Sequence, residues 1–215
     1  MRSDSERDVA ADVHGRRRVR VGKYGSFHEL ARSEVLGRDY IVRLLRRPSP
    51  LAVIAPHGGL IEDGTSELAL AIAGAEHSLF CFEGLKVHGR NRELHITSHL
   101  FDHPQCLELI AGSPLVLAVH GCRGDSCIHL GGLDRAFVDA LGVELARAGF
   151  AVVTDSPRYP GRHPRNICNR GARGAGAQLE VTYDLRDAAN RGPIADAVRA
   201  AITARHALLR PASTS

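Results

Sequence analysis

Two uninterrupted apolar runs, Leu51 to Ala55 and Leu115 to Val119, constrain this chain more than any other feature. A run with no polar alternation suits a strand covered on both faces, as in a parallel or mixed sheet flanked by helices. Each run stops abruptly. The first meets Pro56-His57-Gly58-Gly59-Leu60-Ile61-Glu62, and the second meets His120-Gly121-Cys122. Two buried strands therefore each deliver a histidine at the carboxyl end, where ligands bind in open α/β sheets.

The intervening pattern supports an α/β domain. Tyr40 to Leu45 and Ser78 to Phe82 read as strands, as do Leu94 to Thr97, Ile128 to Gly132, Phe150 to Thr154 and Ala177 to Thr182. Helical spacing begins at Thr65, with Leu68, Ala71 and Ile72 on one face, and recurs over Pro104 to Ala111. Phe137, Leu141, Leu145 and Ala148 mark a helix from Arg135, stopped by Gly149, and a weaker helical segment runs from Tyr24 towards Gly37. Pro193 to Leu209 predicts a closing helix with proline in its first turn. Alternating strands and helices predict a single-domain open mixed sheet flanked by helices. Residues 1–20 are charged without period and are expected to form a polar tail, with one catalytic α/β domain over 21–210.

Composition narrows the function. No apolar stretch approaches the roughly 20 residues of a membrane span, and the charged start, Met1 to Asp8, lacks a secretory h-region. The expectation is a cytoplasmic protein, reaching the outside only from lysed cells. Net charge is +4, carried by arginine apart from Lys23 and Lys86. Acidic residues are interspersed throughout, so this surplus is a weak nucleic-acid signal despite the Arg16-Arg17-Arg18 cluster. Five cysteines without a C-x-x-C pair read as free thiols. Cys122 and Cys127 lie beside the second histidine, but their spacing matches no standard thiolate zinc pattern.

The chemistry then concentrates on few residues. Two histidines and one glutamate form the ligand set of a hydrolytic zinc site, which makes His57, Glu62 and His120 the candidate metal ligands. Gly58 and Gly59 let the backbone turn tightly beside an ion. Glu180, on the polar face of its strand with Gln178 and Thr182, is the candidate general base, with Glu67 a weaker rival. The proline-, glycine- and arginine-rich segment 155–175 is a long loop of the kind that carries function. Within and beyond it Arg165, Arg170, Arg173 and Arg186 offer guanidinium forks suited to carboxylates. Arg165, Arg170 and Asn169 are the candidate substrate contacts. His99 and His129 are placed near the crevice without a role, and no partner pattern assigns His95.

Taken in order, Ala55-Pro56-His57-Gly58-Gly59 with Ile61-Glu62 and Gly64-Thr65-Ser66-Glu67, then Leu94-His95-Ile96-Thr97-Ser98, Val119-His120-Gly121-Cys122, Leu130-Gly131-Gly132, Asn166-Ile167-Cys168-Asn169-Arg170-Gly171 and Ala177-Gln178-Leu179-Glu180 resemble the poly-γ-glutamate hydrolase family. These are phage-type enzymes, some labelled phage-related replication proteins. The resemblance covers roughly residues 24–205. It implies a zinc peptidase of carboxypeptidase-like fold that cleaves the γ-glutamyl amide bond, with Zn2+ on His57, Glu62 and His120 and Glu180 in the place of the base. A polyanionic polymer suits a chain whose positive charge is nearly all guanidinium. An amidohydrolase of small N-acyl acidic amino acids would use the same ligands. A basic nucleic-acid-binding protein with a structural metal is the reading from a different class.

Overall fold

The computed structural model describes residues 22–87 and 89–209. The expected polar tail at 1–20 lies outside the described residues. One seven-stranded sheet organises the molecule. Its strands are β1 (Tyr40–Leu45), β2 (Leu51–Gly59), β3 (Ser78–Gly84), β4 (Leu115–Cys122), β5 (Ile128–Gly132), β6 (Val152–Thr154) and β7 (Ala177–Thr182), in the spatial order β1-β3-β2-β4-β7-β5-β6. β2, β3, β4 and β7 run parallel to one another, whereas β1 and β5 are antiparallel to their inner neighbours and β6 is parallel to β5. This is the open mixed sheet flanked by helices that the run pattern predicts.

The two apolar runs occupy the middle of the sheet, which is why they lack polar alternation. Along β2, Leu51, Val53 and Ala55 pack against one layer while Ala52 and Ile54 pack against the other. β4 divides in the same way: Leu115, Leu117 and Val119 face one side, Val116 and Ala118 the opposite side. The first layer is built by α2 (Thr65–Ala73), α4 (Arg135–Arg147) and α5 (Ala188–Leu209) through Leu68, Ile72, Phe137, Leu141, Ile194 and Val198. The second is built by α1 (Phe27–Ala31) and α3 (Pro104–Ala111), with Phe80, Phe82 and Phe101 filling the space.

Several boundaries differ from the sequence reading. α5 begins at Ala188, so Pro193 stands inside the helix rather than in its first turn. The first helical segment shrinks to five residues, capped by the Ser26 side chain. Leu94 to Thr97 is not a strand. A 3-10 turn over Arg90–Leu94 ends there, and the following extended segment forms no ladder. Its backbone serves a neighbouring side chain instead, because the Ile96 carbonyl accepts a hydrogen bond from His57.

β2 and β4 are adjacent and parallel, with β3 beyond β2 and β7 beyond β4. Their carboxyl ends therefore open on one edge of the sheet where the chain leaves in opposite directions, the position at which α/β sheets form crevices. The amino end of β5 lies at the same edge, since Ile128 pairs with Val181.

Candidate metal centre

His57 sits at a break in strand register. β2 pairs regularly with β3 as far as Ala55, then shifts by a bulge before Gly58. A bulge re-aims the side chain it carries, and Pro56, which has no N–H to contribute to a ladder, falls inside it. Gly59 adopts φ +59°, and a Cβ there would lie 2.7 Å from the Gly84 carbonyl oxygen. The chain then doubles back. The Glu62 N–H donates to the His57 carbonyl at 2.9 Å, and the loop ends as Thr65 begins α2. His57, near the end of β2, and Glu62, in the turn that follows it, are thus held together by one tight chain reversal.

His120 arrives from β4. Its Nδ1 lies 3.1 Å from His57 Nδ1. Glu62 Oε1 is 3.2 Å from His57 Nδ1, and its Oε2 is 3.8 Å from His120 Nδ1. Four-coordinate zinc with ligand bonds of about 2.0–2.1 Å separates its ligand atoms by roughly 3.3 Å. The three groups meet at about that spacing, so their donor set and separation both fit such an ion. Tautomer agrees as well. A carbonyl oxygen can only accept, so His57 Nε2 donates to the Ile96 oxygen at 2.7 Å, which turns Nδ1 towards the cluster. His120 Nε2 faces Ser98 Oγ at 3.5 Å.

Electrostatics favour an ionised Glu62 and a neutral His120. Burial pulls against ionisation of Glu62, but the imidazoles of His57, His95 and His120 outweigh it and hold the carboxyl well below its usual range. Burial, with His57 alongside, pushes the His120 imidazole down to about 3, so it stays neutral. The Gly121 N–H donates to Glu62 Oε2 at 2.8 Å and fixes the carboxylate from below.

His95 joins this cluster without having been assigned from sequence. Its ring stacks on His57 at 3.8 Å between centroids, and its Nε2 is 3.6 Å from Glu62 Oε1. His57, Glu62 and His95 also lie close enough to share an ion. The sequence signal was its place in the Leu94-His95-Ile96-Thr97-Ser98 motif, but no periodicity pointed it at β2.

Glu180 is in register with His120 on the neighbouring strand, and its parity places both on one face of the sheet. It is held through a chain of amides: Asn166 Nδ2 donates to Gln178 Oε1 at 2.9 Å, and Gln178 Nε2 donates to Glu180 Oε1 at 3.3 Å. Burial, reinforced by the charge of Glu62, raises the Glu180 carboxyl well above its ordinary value, against the pull of Arg158 and Arg186. Glu67 lies on the exposed side of α2.

The remaining candidates are placed differently. Arg165 and Arg170 are exposed, with Arg170 Nη1 donating to the Phe101 carbonyl at 3.1 Å. Asn169 offers no free group to a substrate: Oδ1 accepts from the Leu133 and Gly176 N–H groups, and Nδ2 donates to the Gly161 and His163 carbonyls. It shapes the long loop instead. Arg173 pairs with Asp134 at 3.4 Å. Arg186 is buried, at 7% exposure. All five cysteines are free, and Cys127 Sγ lies 3.4 Å from His129 Nε2. His129 is also in register with Glu180, on its other side, while His99 stacks near His163 at 5.0 Å.

Comparison with known proteins places this arrangement among relatives. The family model for poly-gamma-glutamate hydrolase matches residues 24–192. The protein YndL of Bacillus subtilis (strain 168) is 39% identical over 166 residues, covering 76% of this chain and 65% of YndL. The SPbeta prophage-derived protein YoqZ of the same strain is 36% identical, covering 76% of this chain and 60% of YoqZ. The chain thus spans less than two thirds of the length of these two relatives. A solved bacteriophage poly-gamma-glutamate hydrolase superposes with a TM-score of 0.81 at 29% identity, over 87% of this chain and 99% of its own. A zinc-free apo structure of YndL superposes with a TM-score of 0.80 at 32% identity, over 86% and 99%.

Proposed function

The chain belongs to the poly-gamma-glutamate hydrolase family, and from that membership we propose that it is a zinc-dependent enzyme that cleaves γ-glutamyl amide bonds of poly-γ-glutamate. The observation that carries the reading is the convergence of His57 Nδ1, His120 Nδ1 and the Glu62 carboxylate within 3.1–3.8 Å of one another. A relative described in a zinc-free apo form supports zinc as the ion, and the similarity to a phage hydrolase of the polymer supports the substrate. The catalytic unit in this reading is the α/β domain of 21–210.

His57, Glu62 and His120 would hold the metal, which would supply Lewis acidity towards the scissile carbonyl. The protein's own groups do the rest. Glu180 takes the proton of the attacking water on its carboxylate and returns it to the leaving amine nitrogen. A carboxyl whose proton affinity is raised by desolvation suits that exchange near neutral pH. Asn166 and Gln178 orient it. Arg165 and Arg170, both exposed, offer forks to the α-carboxylates that flank the scissile bond in a polymer carrying one per residue. Such contacts weaken as salt rises.

Metal analysis of the purified protein, followed by chelation and zinc add-back with poly-γ-glutamate as substrate, tests the proposal. Restored chain shortening is the expected result. Turnover of small N-acyl glutamates but not of the polymer would refute the substrate, and full activity after exhaustive chelation would refute the metal. Among the described residues no helix is long and apolar enough to cross a membrane.

A further inference from the structure

We propose that Arg186 is a positioning residue whose buried guanidinium locks the Glu62 loop against β4 and so fixes the Glu62 carboxylate in the metal centre. The inference rests on the metal-centre reading above and adds the element that holds it in shape. Arg186 lies beyond β7 in a 3-10 turn over Tyr183–Arg186. Its Nη1 donates to the Asp63 carbonyl, one residue past the proposed ligand. Its guanidinium packs against Gly121, whose N–H donates to Glu62 Oε2 at 2.8 Å. A Cβ at Gly121 would stand 2.3 Å from Arg186 Nη1 and 2.6 Å from its Cζ. At the far end of the same loop, Gly64 has φ +86°, and a Cβ there would meet the Arg186 carbonyl oxygen at 2.8 Å and its Cβ at 2.9 Å.

The guanidinium therefore accounts for Gly121, while Gly64 gives room to the backbone and Cβ of the same residue. The side chain closes against the Tyr183 ring, 5.3 Å from its Cζ. Held on one side by Asp63 and on another by Gly121, it ties together the three segments that meet at the site: the β2 loop, the end of β4 and the turn after β7. Groups that orient metal ligands typically cost 10–100-fold in affinity when removed. Burial distinguishes Arg186 from the exposed Arg165 and Arg170, the proposed substrate contacts.

The test measures zinc dissociation constants by competition with a chromophoric chelator, alongside melting of the zinc-free protein and kcat and KM on poly-γ-glutamate. The variants are Arg186→Ala, Arg186→Lys, Gly121→Ala and the double variant Gly121→Ala with Arg186→Ala. Each single loss is expected to weaken zinc binding roughly ten- to a hundred-fold, with Arg186→Lys recovering part of it. The double variant should bind zinc no worse than Arg186→Ala alone, because removing the guanidinium makes room for the new methyl group; independent roles would multiply the two effects. Wild-type zinc affinity in Arg186→Ala and Arg186→Lys would overturn the proposal. So would a rise in KM alone, which would place a substrate carboxylate on Arg186 Nε, a buried atom with no hydrogen-bond partner among the described residues. If an alanine variant does not fold, Arg186→Lys carries the same comparison. Failure of the wild-type protein to bind zinc would instead strike the metal-centre reading itself.

Discussion

His120 and Glu180 stand opposite each other in the parallel ladder of β4 and β7, on one face of the sheet, although 60 residues separate them in the chain. That pairing puts a proposed metal ligand beside the proposed base, with the charge of Glu62 close enough to raise the Glu180 carboxyl. Removing either member should have a different consequence.

Glu180→Gln keeps the size of the side chain and the contact with Gln178, but it cannot accept a proton. The expected result is a fall in kcat of about 10²–10⁴ with zinc content unchanged by metal analysis. Near-normal turnover would remove Glu180 from the reaction.

His120→Ala takes away one of three convergent ligands and opens a void in the buried end of β4. Zinc added in thousandfold excess over the dissociation constant stabilises a protein by about 4 kcal/mol. A melting series with and without zinc should show that gain in the wild type and little of it in the variant. An equal zinc-dependent rise in both would mean that His120 is not a ligand.

His103 gives a stability change with pH that is independent of the metal centre. Its ring packs against Phe27, Phe80 and Phe82, at 4.0, 5.0 and 6.4 Å between centroids. Burial there pushes the imidazole down to about 4, with Asp102 opposing weakly. The unfolded value is near 6.5. Above that both states are neutral and the group contributes no pH dependence. From about 6.5 down to about 4 the unfolded chain takes up a proton that the folded protein refuses, so stability falls as pH falls. Urea midpoints of His103→Leu should decline less over that interval than those of the wild type. Parallel curves would count against the argument.

Asp134 anchors the far side of the fold. It caps α4 through the Phe137 N–H at 3.1 Å and receives Arg205 at 3.0 and 3.1 Å, both side chains being almost fully buried. Asp134→Ala removes the cap and leaves the Arg205 guanidinium without its counter-charge. Breaking a buried pair in this way costs about 3–5 kcal/mol, measurable as a lower urea midpoint, while zinc affinity should stay unchanged. A loss below 1 kcal/mol would show that the pair is dispensable.

Local sequence was legible where the physics is local. The apolar runs announced central strands because residues covered on both faces cannot alternate. Phe137, Leu141 and Leu145 announced α4 because one stripe of that helix is buried. It failed at His95–Thr97, where strand-like residues find no ladder partner, and at the start of α5, which extends upstream of Pro193. Asn169 is hard to read from sequence for a related reason. An amide in a long loop looks available until its four hydrogen bonds are traced to backbone groups from three segments.

The sequence by itself determined that two histidines and a carboxylate follow the ends of buried strands, with glycines to turn the chain there, since backbone permissiveness and apolar patterning act within a few residues. Only the tertiary structure decided that β4 lies between β2 and β7, which brings His57, Glu62, His120 and Glu180 to one edge. It alone stacked His95 on His57 and wedged Arg186 over Gly121. Strand order and register arise from packing between residues far apart in the chain, and short-range spacing carries no record of that.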